Sequence, residues 1–324
     1  MFKLGIFKKK QLKPEKRSGF INKRKFLALD LYNCLDGLPQ AEIDTIQEAM
    51  LRGFCLRNGV SKHTHSRRFD EFDRLSFTAI DAHFPAGQNI RVHDIAVSDG
   101  RTCSGLYNHL NDRYGEGLDF LASDPARYLY ILKRAHSANR LIIDDRQQVL
   151  QIITPPFVFL VVRPESLKIY PLNHLLRHLV TAVYARPLLK AYNSRSPGIE
   201  LTKLDLLCQE CRAHIQEQHN FRFESYDVLA GSNELFDIIR AMNVLNQSYF
   251  SKEQLQKAVK NILQSLREGG LFITGSNAGA GTVVNGAIYK KTQTGMARIE
   301  VSGKGSAVDE LISGCSNIVR ISSE

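Results

Sequence analysis

Residues 90–110 read IRVHDIAVSDGRTCSGLYNHL, and the fold turns on how the pattern changes inside this stretch. Ile90 to Val97 is an apolar run of strand length that carries one carboxylate, Asp94, near its end. The run breaks at the small polar turn Ala96-Val97-Ser98-Asp99-Gly100 and resumes with helical spacing over 102–114. A strand, a tight turn and a helix in this order open a βαβ unit. In a parallel sheet, ligands bind beyond the carboxyl ends of the strands, where this turn lies. Ala96, Ser98 and Gly100 are small enough for a ligand to approach the backbone. Asp94 and Asp99 repel a pyrophosphate and suit a cationic ligand rich in donors.

The alternation continues outward. The pattern predicts a strand over 118–123, a helix over 125–137, strands over 221–225 and 235–241, a helix over 251–267 and a strand over 270–274. TVVNGAIYKK and MARIEVSG, joined at Thr292–Gly295, read as a terminal hairpin. The fold class is therefore α/β: a Rossmann-like, doubly wound, seven-stranded and mostly parallel sheet closed by an antiparallel hairpin. Upstream, residues 27–85 read as an N-terminal helical region, with helices ending at Asn58-Gly59 and spanning 69–82. Residues 138–220 interrupt the alternation with extra strands around Asp144-Asp145 and Pro155-Pro156, an amphipathic helix in YPLNHLLRHLVTAVYARPLLKAY and a further helix in LTKLDLLCQECRAHIQEQH. The expected organisation is a basic, disordered tail (1–26), the helical region (27–85) and an α/β domain (86–324) with 138–220 inserted as a lid.

Each further strand end delivers a polar side chain to the same rim. Asp124 follows the second strand, where a carboxylate can take both hydroxyls of a ribose, and Pro125 can open the next helix. Asp227 follows the third strand, where it can accept an adenine amine, and Asn243 ends the fourth. The segments AVSDGRT, LASDPA and DIIRAMNVLNQSYF…SLREGGLFITGSN are similar to class I S-adenosylmethionine-dependent methyltransferases. Within that group they resemble the chemoreceptor-type protein-glutamate methyltransferases, over about residues 90–137 and 220–300. The resemblance implies S-adenosylmethionine as cofactor. It places Asp94 and the turn Ala96, Ser98, Asp99 and Gly100 at the methionine end, Asp124 on the ribose, Asp227 and Val228 beside the adenine, and Asn243 near the amino acid or sulfonium. Arg101 and Thr102 stand where the chemoreceptor enzymes carry two glutamates, and Met242 where they carry arginine. Methyl transfer needs alignment more than a catalytic side chain, so Asn246 and Tyr249 are candidates only by proximity. His93 is expected to be a buried histidine facing the opposite side of the sheet from Asp94.

Composition narrows the partners. Of 43 Lys/Arg and 33 Asp/Glu in 324 residues, ten and one lie in 1–26, leaving the rest nearly neutral at 33 against 32. A nucleic-acid groove on the globular body is therefore not expected. The acceptor is expected to be a small molecule, lipid-like or glycan-like. The tail MFKLGIFKKKQLKPEKR, with Phe2, Leu4, Ile6 and Phe7 among its lysines, suits either solvent or peripheral contact with an anionic membrane. No apolar run is long enough to span a bilayer and no secretory signal is visible, so a cytoplasmic place, at most against the inner face of a membrane, is expected. Six scattered cysteines agree with a reducing compartment. Cys208, Cys211, His214 and His219 form one short segment without a second ligand pair, so no metal is expected. Two alternatives stay open: an idle module that binds the cofactor without catalysis, and a protein-carboxylate methyltransferase. The sequence leaves the acceptor atom and the oligomeric state open.

Overall fold

The structure is a computed structural model that describes residues 2–12, 25–52, 62, 68–161, 171–278 and 282–314. Its elements run β1 (Phe2–Ile6), β2 (Lys25–Leu27), α1 (Gln40–Arg52), α2 (Asp70–His83), β3 (Ile90–Ile95), α3 (Arg101–Tyr114) and β4 (Leu118–Ser123). Next come β5 (Tyr128–Arg134), β6 (Arg140–Ile143), β7 (Val149–Thr154), β8 (Phe157–Leu160), α4 (Pro171–Val180), α5 (Arg186–Asn193) and β9 (Ile199–Asp205). The last are α6 (Gln209–Glu217), β10 (Phe221–Glu224), β11 (Phe236–Met242), α7 (Lys252–Gln264), β12 (Leu266–Asn277), β13 (Val284–Thr292) and β14 (Gly295–Ser302).

The chain divides into two compact units, each built from two separate stretches: residues 1–64 with 127–206, and residues 65–126 with 207–324. This division replaces the expected boundaries. Residues 127–206 share a sheet and a core with the N-terminal stretch, so 138–220 is not a free-standing insertion.

The second unit holds the expected sheet. Its seven strands lie in the order β10-β4-β3-β11-β12-β13-β14. The first five are parallel, β13 runs antiparallel to β12, and β14 runs antiparallel to β13. The antiparallel member is thus β13, enclosed between β12 and β14. Helices cover both faces. Phe72, Ile80, Leu106 and Leu110 of α2 and α3 pack with Val92 and Ile238 on one face, while Leu255, Val259 and Ile262 of α7 pack with Ile95 and Ile239 on the other. Alternate residues of one strand feed the two cores, as a sheet buried on both sides requires. A capping box starts α7: the Gln254 N–H donates to Ser251 Oγ (3.3 Å) and the Ser251 N–H donates to Gln254 Oε1 (2.9 Å).

The first unit is a second seven-stranded sheet, ordered β2-β1-β8-β7-β6-β5-β9 and antiparallel except for the β1–β2 pair. Ile46, Met50 and Leu51 of α1 cover one face, and Ala185 and Leu188 cover the other. Gln151 fastens the N-terminal stretch to this sheet. Its Oε1 accepts from the Leu29 N–H (2.9 Å) and its Nε2 donates to the Leu27 carbonyl (3.1 Å).

Three expectations need correction. Residues 125–137 are not a helix: Tyr128–Arg134 is β5, paired along its whole length with β9. Leu129 and Leu132 enter opposite cores, a two-sided burial that a short apolar run does not distinguish from helical spacing. The segment LTKLDLLCQECRAHIQEQH is strand β9 followed by α6 rather than one helix. The basic tail is not disordered throughout, because Phe2–Ile6 pairs with β8 and Ile6 is buried. Residues 13–24, the expected helix end at Asn58-Gly59 and residues 279–281 between β12 and β13 lie outside the described residues.

Candidate functional site

The order of the sheet reverses between β3 and β11, because the chain builds β4 and β10 to one side and β11 and β12 to the other. The carboxyl ends of these strands form the topological switch point at which open α/β sheets bind ligands. Asp94, Asp124, Asp227 and Asn243 belong to the ends of four adjacent strands, as expected from the sequence. Their side chains, however, take partners that the sequence does not announce.

Asp94 is not left for an external cation. Its partner across the β3–β11 ladder is Arg240. The Arg240 guanidinium donates to both Asp94 oxygens (Nε–Oδ1 3.0 Å, Nη2–Oδ2 2.6 Å), to Asp73 Oδ1 (3.0 Å) and to the Thr102 carbonyl (2.9 Å). Arg240 is 1% exposed and Asp94 3%. Burial pulls the guanidinium pKa down, but the Asp94 and Asp73 carboxylates more than offset it and hold Arg240 above its ordinary value. Burial also raises the Asp73 carboxyl, with Arg240 opposing. An arginine inside the apolar run FDIIRAM was the available signal, because a guanidinium in a core strand demands buried anions.

Asp99 also turns inward. It is fully buried, its Oδ1 accepts from the Arg101 N–H (3.2 Å), and its carbonyl accepts from the Cys208 N–H (2.8 Å). Arg68 sits within electrostatic reach of Asp99, Arg240, Tyr249 and Asp94, and burial lowers its pKa to about 10. Asp94 and Asp99 are therefore both met by the chain's own guanidinium groups, Arg240 and Arg101 (Nε–Oδ2 3.2 Å for the latter pair). Sequence reasoning missed Arg68, which no motif marks.

The turn keeps glycine-like geometry without the glycines. Ala96, Ser98 and Gly100 all have positive φ, at 59°, 62° and 79°. An L-residue in this region is strained by about 1–2 kcal/mol. Asp124 clamps the turn: its Oδ2 accepts from the Ser98 N–H and its Oδ1 from the Ala126 N–H, both at 2.9 Å. Pro125 lies in the turn after β4 rather than at a helix start. Ala96→Gly is expected to raise the stability of the unit by about 1 kcal/mol by relieving the backbone. A urea unfolding midpoint at or below that of the wild type would contradict the strain.

The remaining residues close the rim. Asn243, with φ at 60°, binds the end of β12: its Oδ1 accepts from the Asn277 N–H (2.8 Å) and its Nδ2 donates to Asn277 Oδ1 (2.9 Å). Asp227 is exposed and accepts from the Leu229 N–H (2.9 Å), while Val228 is buried with Ile95 and Leu121. Asn246 Nδ2 donates to the Asn243 carbonyl (3.1 Å), and Tyr249 is 39% exposed. His93 is buried with Nε2 2.8 Å from Ser123 Oγ, and burial lowers its pKa to about 3. It is a neutral core histidine, as its place in the strand leads one to expect. Cys208 caps α6, accepting from the Cys211 N–H (3.4 Å), and burial raises its thiol pKa well above the ordinary value. Among the described residues no His/Cys/Asp/Glu cluster is arranged to hold a metal.

No family model matches the chain, and no curated protein matches it. Several solved structures are similar at low identity. The N-methyltransferase NodS from Bradyrhizobium japonicum WM9, crystallised with S-adenosyl-L-homocysteine, is 14% identical over 63% of this chain and 62% of its own, with a TM-score of 0.29. The CurJ carbon methyltransferase is 12% identical over 81% of this chain and 46% of its own, at 0.34. The [4+2]-cyclase SpnF is 11% identical over 71% of this chain and 53% of its own, at 0.28. The chain thus spans about half to three fifths of the length of these relatives. At these scores the likeness adds nothing to the strand pairing itself, which establishes a Rossmann-like, doubly wound α/β fold with its switch point between β3 and β11.

Proposed function

We propose that the second unit binds S-adenosylmethionine at the β3–β11 switch point and transfers its methyl group to a small-molecule acceptor. The observation that carries this reading is the left-handed turn Ala96–Gly100 held by Asp124 at the carboxyl edge of the sheet. The donor set fits the group in most of its parts. Asp124 supplies a carboxylate where a ribose diol is expected, Val228 and the turn at Asp227 supply an apolar and polar border for an adenine, and Asn243 supplies an amide. At the methionine end the fit differs from the sequence expectation. Asp94 is paired with Arg240, so its carboxylate is already engaged and does not serve the cofactor's amine or sulfonium. The cofactor, when bound, supplies the activated methyl; the chain's own residues position it and exclude water.

Titration calorimetry with S-adenosylmethionine and S-adenosylhomocysteine tests the reading. Wild type is expected to release heat with both. Asp124→Ala is expected to weaken binding by about 100-fold, because it removes a charge-assisted acceptor and loosens the turn. Absence of heat with either compound would sink the proposal. A second reading, an idle module that binds without turnover, is favoured by one observation: Ala96 and Ser98 add side chains where a closely approached backbone is usually bare. Binding without methyl release across a panel of amine, hydroxyl and carbon acceptors would select it.

A further inference from the structure

The first unit carries an apolar stripe that its own core does not use. From α4 through the π-helical turn Thr181–Ala185 into α5, the inward face, including Leu176, Val180, Tyr184 and Leu188, packs on the core around Leu132 and Ile152. The outward face carries Leu172, Leu175, Leu179 and Val183, which are 62%, 65%, 54% and 69% exposed. Steps of three and four residues align these four on one side of a helix. The π turn inserts one residue and rotates the succeeding helix α5 by about 100°. Exposed Arg186 and Lys190 are thereby brought into the row of exposed His174 and His178, beside the stripe. Arg177 lies next to this row, its guanidinium 3.3 Å from His174 Nδ1 and bonded to the Val161 carbonyl. From Ser166 to Ile199 the sequence contains no Asp or Glu.

We propose that this helix lies in the plane of an anionic lipid surface, with the leucine stripe in the acyl boundary and Arg186 and Lys190 at the headgroups. An amphipathic helix with a cationic, acid-free polar side and an apolar stripe has the chemistry of such a contact. A second copy of the chain fits less well. Four side chains of this size offer roughly 400 Å², against about 800 Å² per partner in a stable dimer. Two identical rows of cations would also face one another across that interface.

The test uses the full chain and vesicles of phosphatidylcholine with about 30% phosphatidylglycerol, compared with phosphatidylcholine alone. To lessen the contribution of the basic tail, all proteins carry Lys8→Gln, Lys9→Gln and Lys10→Gln, three of its ten cations. Co-sedimentation with the anionic vesicles is expected, with little on the neutral ones. Leu175→Asp with Leu179→Asp is expected to reduce binding by about tenfold or more, and Arg186→Glu with Lys190→Glu to do the same and remove its salt dependence. Leu175, Leu179, Arg186 and Lys190 are exposed, so circular dichroism and the urea midpoint are expected to stay at the values of the parent that carries the three glutamines. No binding to anionic vesicles, or binding untouched by the leucine substitutions, would overturn the proposal. So would a concentration-dependent dimer in ultracentrifugation that the leucine substitutions convert to monomer.

Discussion

Arg240→Met is expected to destabilise the second unit by about 3–5 kcal/mol at neutral pH, enough to halve the stability of an ordinary domain. The variant roughly keeps the volume of the side chain but strands Asp94 in a site only 3% exposed and removes the guanidinium donor from the Thr102 carbonyl. The loss comes from the orphaned anion rather than from an intrinsically strong ion pair, so adding Asp94→Leu is expected to recover at least half of it. A double-mutant cycle by urea unfolding measures this coupling, and simple additivity would show that the pair is not the origin. The pH dependence carries a sign. The folded-state pKa of Asp73 is raised, so the native state binds its proton more tightly than the unfolded chain does. Its contribution is most favourable below the unfolded value of 3.8 and falls as pH rises through the elevated folded value. Removing Arg240, which opposes that rise, widens the window. The deficit of Arg240→Met is therefore expected to shrink on acidification towards the ordinary carboxylate value of 3.8, and a deficit that stayed constant would argue against a charge origin.

Gly100→Ala is expected to cost about 3 kcal/mol or more. Its φ of 79° is strained for alanine, and a Cβ built there meets Cys211 Sγ at 2.4 Å and Cys211 Cβ at 2.7 Å. The near atoms belong to a short side chain at the start of α6, which cannot swing clear without moving the helix. Cys211→Ala made alone should destabilise slightly by opening a small void. Made with Gly100→Ala, it should recover part of the loss, a favourable coupling that thermal unfolding reads directly. Equal losses in both backgrounds would mean that backbone strain accounts for the whole effect. The same contact shows that the absence of a side chain here lets the turn pack directly against α6.

These residues mark how far the fold was legible in the sequence. Strand-to-helix alternation was enough for the second unit's sheet, its helices and the closing hairpin, because each of those elements has one dominant period. The identity of the rim was legible too, since strand ends fall where apolar runs stop. Side-chain allegiance was not. Asp94 read as a ligand-facing charge because its neutraliser, Arg240, lies 146 residues away and only strand register makes them neighbours. The left-handed turn was half legible: Gly100 signals it, whereas Ala96 and Ser98 conceal it. The first unit was the least legible. Its strands are short, apolar on both faces and drawn from two remote parts of the chain, so β5 resembled a helix and β1 a solvated tail.

The remote pairing of β1 bears on how the polypeptide leaves the ribosome. Strand β1 is made well before its antiparallel partner β8, which lies about 150 residues downstream, a delay on the order of 10 s at ordinary elongation rates. During that interval the whole of β3, α3 and β4 is made, while their own sheet still awaits β11 and β12. Both sheets therefore spend translation with open edges that invite pairing with other chains. Deleting residues 2–6 would take away the strand on which β2 is built, leaving β8 as the new border of that sheet.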